Sequence, residues 1–208
     1  MASKTLKDTI EQLENLFGVF NKTYFNNELS KPIVTVSPDT TKGAYGWCTS
    51  WKAWKEAGHE ESGYYEINIC AEYLSRSYLE IAETMLHEMV HLYNLEQGVK
   101  DTSRAGTYHD KKYKEAAEAH GLTVECDEKY GWTKTSLTDE AKEVVESFMK
   151  EIGKTSFDLY RETPQKEKKA SKSNSIKYVC PCCGIIVRAT KVVNIKCFDC
   201  DEVMEAEI

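Results

Sequence analysis

The 208-residue chain carries 27 Lys and Arg against 34 Asp and Glu, a net charge of -7, with 29% of its residues charged. That length holds one ordinary domain plus a small module. Its apolar runs fall far short of the ~20 residues a membrane-spanning helix needs and no secretory signal opens it, so the expectation is a soluble cytoplasmic protein.

From the amino terminus, Leu6, Ile10, Leu13, Phe17, Phe20 and Tyr24 recur at helical spacing and predict a helix with one buried stripe. Residues 33–36, 44–51 and 64–70 then read as short strands, and the polar stretch 56–63, which contains His59, as an exposed loop. Ser75 or Ser77 can cap the next helix, which carries Leu79, Ile81, Ala82, Met85, Leu86, Met89, Val90, Leu92 and Tyr93 and meets Gly98 as its stop. Apolar residues surround almost its whole circumference, so this helix belongs in the core.

Within it lies His87-Glu88-Met89-Val90-His91. Side chains four apart stack on one helix face, so His87 and His91 can aim two imidazoles at one point, with Glu88 beside them to take a proton from a metal-bound water. Two buried histidines and a glutamate without partners would cost free energy, and a zinc ion supplies the partner. A catalytic zinc site uses three protein ligands and leaves a fourth position open. His59, His109 and His120 are the other histidines, with Asp and Glu as further options. His109 is preferred, because it lies in residues 104–113, where a turn containing Gly106 leads into a helix with Tyr113, Ala116 and Ala117 inside. A ligand at a helix start can swing back onto the preceding helix. His120 stands just before Gly121, where it suits the end of that helix structurally. His59 reads as solvated.

Thr138 can cap a further helix with Ala141, Val144, Val145, Phe148 and Ile152 on one face and Gly153 at its end, which places a first domain at residues 1–160. Residues 161–176 mix proline, serine and lysine as flexible linkers do. In residues 177–208, Cys180-Pro181-Cys182-Cys183-Gly184 and Cys197-Phe198-Asp199-Cys200 form two Cys-x-x-Cys knuckles and describe a zinc ribbon. Knuckle geometry favours Cys180, Cys183, Cys197 and Cys200, with Cys182 as the alternative at the first knuckle. So short a piece builds little apolar core and depends on its metal for folding. Cys48, Cys70 and Cys126 are scattered and read as reduced, partly buried thiols. Charge is uneven: residues 161–200 hold nine Lys or Arg against three Asp or Glu, a local +6 that leaves -13 elsewhere. Lys168, Lys169, Lys172, Lys177 and Arg188 are candidate phosphate contacts, and Tyr178 and Phe198 candidate platforms for bases.

These residues resemble the SprT-like metalloproteases, the family that includes the Spartan type of DNA-protein crosslink protease. The likeness lies in residues 16–29 with Phe25-Asn26-Asn27-Glu28-Leu29, in the strand Tyr65-Glu66-Ile67-Asn68-Ile69, in Thr84-Met85-Leu86-His87-Glu88-Met89-Val90-His91 and in residues 106–113. It covers about residues 10–125 plus the tail, and departs from the family at Asp110, where a glycine is common. The resemblance implies an α+β, zincin-like domain of helices packed on a small sheet, followed by the ribbon. It implies a zinc-dependent endopeptidase with zinc on His87, His91 and His109, Glu88 as general base and a second, structural zinc. Substrates would be proteins, often bound or crosslinked to DNA, with the basic tail engaging nucleic acid and an edge strand pairing with the extended substrate. The alternative is a non-catalytic, zinc-stabilised nucleic-acid-binding or adaptor protein, which has no need of Glu88 beside its metal.

Overall fold

A computed structural model describes residues 5–39, 43–162 and 175–207, and the chain divides into two units, Met1–Thr163 and Pro164–Ile208.

The larger unit is α+β. It opens with α1 (Leu6–Tyr24), whose amino end is closed by a reciprocal capping box between Thr5 and Asp8. Leu13, Leu16 and Phe20 are fully buried. Leu6 is 46% exposed, so the first turn overhangs the core and the buried stripe begins later than its periodicity predicts. Five strands follow: β1 (Ile33–Ser37), β2 (Gly46–Cys48), β3 (Trp54–Glu56), β4 (His59–Tyr64) and β5 (Glu66–Cys70). Strand β5 is central, parallel to β1 on one side and antiparallel to β2 on the other, which among the described residues leaves β2 as a free edge.

The strand predicted over residues 44–51 contracts to three residues, and the one predicted over 64–70 is split, with Tyr64 ending β4 and Glu66 opening β5. The loop predicted over 56–63 folds instead as the β3–β4 hairpin. Glu56 pairs with His59 across a two-residue turn that needs Gly58 at φ +84°. Trp54 and Tyr64 are exposed there, so no buried face wrote an alternation into the sequence.

Helix α2 (Tyr78–Glu96) is the centre of the unit, with eleven of its nineteen residues buried. Ser77 caps it: its hydroxyl accepts from Glu80 N, while Glu80 Oε2 accepts from Ser77 N at 2.9 Å. Gly98, at φ +67°, turns the chain away from its carboxyl end. Next come β6 (Thr102–Ser103), β7 (Tyr108–His109), α3 (Lys111–Ala119), β8 (Leu122–Asp127), β9 (Gly131–Leu137) and α4 (Asp139–Ile152). Strands β6, β7, β9 and β8 make a second sheet in that order. Helix α4 is capped by Thr138 and ended by Gly153 in the left-handed region, and it buries Ala141, Val145 and Phe148. Both sheets and the three other helices pack on α2.

The smaller unit contains β10 (Ile176–Val179), β11 (Ile186–Ala189), β12 (Lys196–Cys197), β13 (Glu202–Val203) and β14 (Glu205–Glu207). Its buried core is Tyr178, Cys180, Cys197 and Met204, so two of the four are cysteines. Tyr178 is not a platform for bases: it is 3% exposed, and its hydroxyl accepts from Val193 N at 3.0 Å. Phe198 is 98% exposed. Lys168, Lys169 and Lys172 lie outside the described residues. Among those described, no helix is long and apolar enough to cross a membrane.

Candidate metal centres

His87 and His91 lie one turn apart on α2, and β7 delivers His109 to the same point. His109 Nε2 is 3.2 Å from His87 Nε2 and 3.0 Å from His91 Nε2. On the far side of each ring, His91 Nδ1 meets Asp101 Oδ2 at 2.7 Å and His87 Nδ1 meets Thr135 Oγ1 at 3.3 Å. With the ring protons on those Nδ1 atoms, the Nε2 lone pairs face one another and repel unless a cation lies between them. Zinc fits that donor set: Zn–N bonds of about 2.0–2.1 Å put tetrahedral ligand atoms about 3.3 Å apart.

His109 is held through its backbone. Its N–H donates to Tyr130 O at 2.9 Å, and β7 pairs with β9 through His109 and Gly131. Gly131 sits at φ +73°, and a Cβ there would lie 2.1 Å from His109 O, so no other residue allows the approach. Gly131→Ala is therefore expected to displace the third histidine. The left-handed backbone alone costs an L-residue about 1–2 kcal/mol, or roughly tenfold, and the collision adds to it. A metal titration showing wild-type affinity at the histidines would contradict this. Asp110, the departure from the family pattern, is the N-cap of α3, accepting from Lys112 N at 2.8 Å and Tyr113 N at 3.3 Å.

Tyr113 forms the floor of the cluster. It is fully buried, its ring lies 4.8, 4.5 and 4.7 Å from those of His87, His91 and His109, and its hydroxyl donates to His87 O. His120 is structural, as its position predicts: Nδ1 lies 2.6 Å from Ala116 O and the ring stacks on Phe25. His59 is exposed on β4.

Glu88 is 6% exposed and accepts a hydrogen bond from the Cys48 backbone N–H. On β2 the odd-numbered residues face β5, since Thr49 N bonds Glu66 O and Tyr45 O accepts from Cys70 N. Gly46 and Cys48 thus turn their main-chain groups to the free edge. Glycine at 46 lets the strand lie on α2, because a Cβ would meet Asn68 O at 2.7 Å and Thr84 Cγ2 at 3.0 Å. Burial pushes the Glu88 carboxyl up to about 7, against the pull of His91 and the Cys48 N–H. Burial, reinforced by the neighbouring histidines, holds His87 well below its usual value and brings His109 down to about 4. Both rings are therefore neutral near pH 7, the form that binds metal.

Sequence reasoning missed the residues behind the ligands. Asp101 accepts from both His91 and Asn94, the latter at 2.9 Å, and these bonds hold its carboxyl below the usual range although burial opposes them. Thr135, on β9, also donates to Glu83 Oε1 at 3.2 Å. One faint signal existed: Glu83 and Asn94 are polar positions on a helix otherwise apolar almost all round.

In the smaller unit Cys180, Cys183, Cys197 and Cys200 bring their sulfurs within 4.8 Å of one another. Cys183 and Cys197 Sγ are 3.7 Å apart, against about 3.8 Å for a tetrahedron with Zn–S bonds near 2.3 Å. Backbone N–H groups of Cys183 and Cys182 point at Cys180 Sγ and draw its pKa down to about 7. Gly184 and Asp201, each just after a knuckle, both have positive φ. Cys182 is exposed and outside the cluster; of the other thiols Cys70 is buried, Cys48 half-buried and Cys126 exposed. Lys177 is paired with Glu207 at 2.7 Å, and Arg188 donates to Ser175. In residues 175–207 Lys177, Arg188, Lys191 and Lys196 stand against Asp199, Asp201, Glu202, Glu205 and Glu207, so the excess positive charge resides in the linker.

The sequence model of the SprT-like family matches residues 13–131, a span that takes in all three histidines, Glu88 and Gly131. Neither a curated protein nor a solved structure matches the chain.

Proposed function

From the premise that this chain belongs to the SprT-like family, we propose that it is a zinc-dependent endopeptidase with a zincin-like catalytic domain. One observation carries this: three histidine Nε2 atoms converge beside a buried glutamate that a purely structural metal would not require. Bound by His87, His91 and His109, zinc supplies a Lewis acid and a water of lowered pKa. Glu88 takes the proton of the attacking water on its carboxylate and hands it to the leaving amine. The Cys48 N–H holds that carboxylate in place. The free edge of β2 receives the substrate as an added strand, through the main-chain groups of Gly46 and the carbonyl of Cys48. Recognition of that kind reads extended backbone rather than side chains, which suits protein substrates of varied sequence. The four cysteines take a second zinc, for shape.

The proposed substrates are proteins bound or crosslinked to DNA. The support is electrostatic: Lys166, Lys168, Lys169 and Lys172 crowd into the linker, with Lys177 and Arg188 following. Cleavage of casein by the full chain and by a chain cut at the linker, each with and without single-stranded DNA, tests both parts. Expected are activity lost to a chelator and restored by zinc, and stimulation by DNA of the full chain alone. An equal DNA response after truncation would remove the tail's role. A full chain inert with DNA present and two zinc ions bound would favour the adaptor instead.

A further inference from the structure

We propose that Thr135 and Glu83 are positioning residues for His87, forming a two-step hydrogen-bond relay that decides which of its ring nitrogens faces the metal. The relay rests on the three-histidine centre proposed above and concerns how one of its ligands is aimed. Thr135 Oγ1 lies 3.3 Å from His87 Nδ1 and 3.2 Å from Glu83 Oε1. A hydroxyl has a single hydrogen, and Thr135 Oγ1 is the donor in its bond to Glu83 Oε1, a carboxyl whose pKa burial raises and this bond lowers. Thr135 therefore donates to Glu83 and is left to accept from His87 Nδ1–H. That order puts the ring proton on Nδ1 and the lone pair on Nε2. The reverse order would leave Nε2 protonated and pointed at His109 Nε2, 3.2 Å away, where a metal ligand has to be bare.

The three ligands are thus secured in three ways. His91 has a carboxylate directly behind it, Asp101. His109 is placed by its backbone against Tyr130 and Gly131, and its Nδ1 has no hydrogen-bond partner among the described residues. His87 has its carboxylate at one remove. Glu83 lies one turn before it on α2, too near along the helix axis to stand behind the ring, and Thr135 bridges the gap from β9, 48 residues later in the chain. The second sheet thereby contributes to the centre twice, through His109 on β7 and through this hydroxyl on β9.

The test uses the full chain loaded with Co2+, because thiolate-to-cobalt absorption marks the ribbon and the histidine site lacks it. Thr135→Val is expected to weaken cobalt binding at the histidines by about 10- to 100-fold, the usual cost of losing such a partner, with the ribbon bands unchanged. Thr135→Ser keeps the hydroxyl and should bind within about twofold of wild type. Glu83→Gln keeps an acceptor and should lose less than about tenfold. Ring 15N shifts of labelled histidine in the metal-free protein should show His87 protonated on Nδ1 in wild type and Thr135→Ser, and a tautomer mixture in Thr135→Val. Wild-type affinity in Thr135→Val with Nδ1 still protonated overturns the relay. A wild-type chain that displays only the ribbon bands overturns the histidine centre itself, and the relay with it.

Discussion

Glu88→Gln is expected to abolish proteolysis while the histidine centre keeps its metal. The amide has the shape of the carboxylate and can still accept from the Cys48 N–H, but it cannot take a proton from water. General-base groups contribute about 10²–10⁴-fold, so turnover should fall by at least the lower figure with metal content unchanged. Cleavage by Glu88→Gln at a wild-type rate would remove Glu88 from the reaction. Lost metal would instead make it a structural support.

The same substitution has a second consequence, visible in the metal-free protein. Glu88 titrates near 7 when folded and near 4.5 when unfolded. Between those values the folded state holds the extra proton, so this group adds stability as pH falls from 7 to 4.5. His109, at about 4 folded and 6.5 unfolded, does the reverse: its contribution is lost as pH falls from 6.5 towards 4. In wild type Glu88 opposes His109, each by about 3 kcal/mol at most, and His87, held low by the same burial, acts in the sense of His109. Glu88→Gln leaves the loss without its offset, so its acid destabilisation should be steeper. The four tryptophans, 47, 51, 54 and 132, all lie in the larger unit, so their fluorescence in urea reads that unit alone. Parallel stability curves for the two proteins between pH 7 and 5 would refute the offset.

What the sequence disclosed were features written in local chemistry. The capping residue, the four-residue spacing of His87 and His91 and the stop at Gly98 all fall within one helix, and each cysteine knuckle within five residues. What it concealed depends on distant partners. The β8–β9 hairpin went unread because Leu122 and Leu137 are its buried ends and Thr123, Glu125, Lys134 and Ser136 between them are polar or exposed. Its alternation is faint because little of it is buried, yet it supplies both Gly131 and Thr135. Asp101 stands ten residues beyond His91 in a short connection, and only the fold shows its carboxylate turned inward. The parallel pairing of β1 with β5 joins segments 33 residues apart, which no local period encodes.

Stripping zinc from the chain should unfold residues 175–207 and spare the larger unit. The contrast follows from what each unit buries. Among the described residues the larger one encloses twenty-six hydrophobic residues in a continuous cluster, whereas the smaller has four, of which Cys180 and Cys197 belong to the proposed zinc site. Remove the metal and what remains inside is Tyr178 and Met204, beside sulfurs crowded to 3.7 Å. Structural zinc in such modules supplies about 10–16 kcal/mol at pH 7, far more than two buried side chains can replace. Amide signals of the ribbon should therefore collapse to random-coil positions on chelation and return with zinc, while tryptophan fluorescence still reports a cooperative transition. Cys183→Ser should reproduce the collapse. Cys182→Ser, at an exposed position outside the cluster, should leave the ribbon folded, so the pair separates loss of a ligand from loss of any neighbouring thiol. Dispersed ribbon signals in the zinc-free chain would mean that its strands hold by their own hydrogen bonds, and would reduce the four cysteines to a site the fold tolerates rather than one it requires.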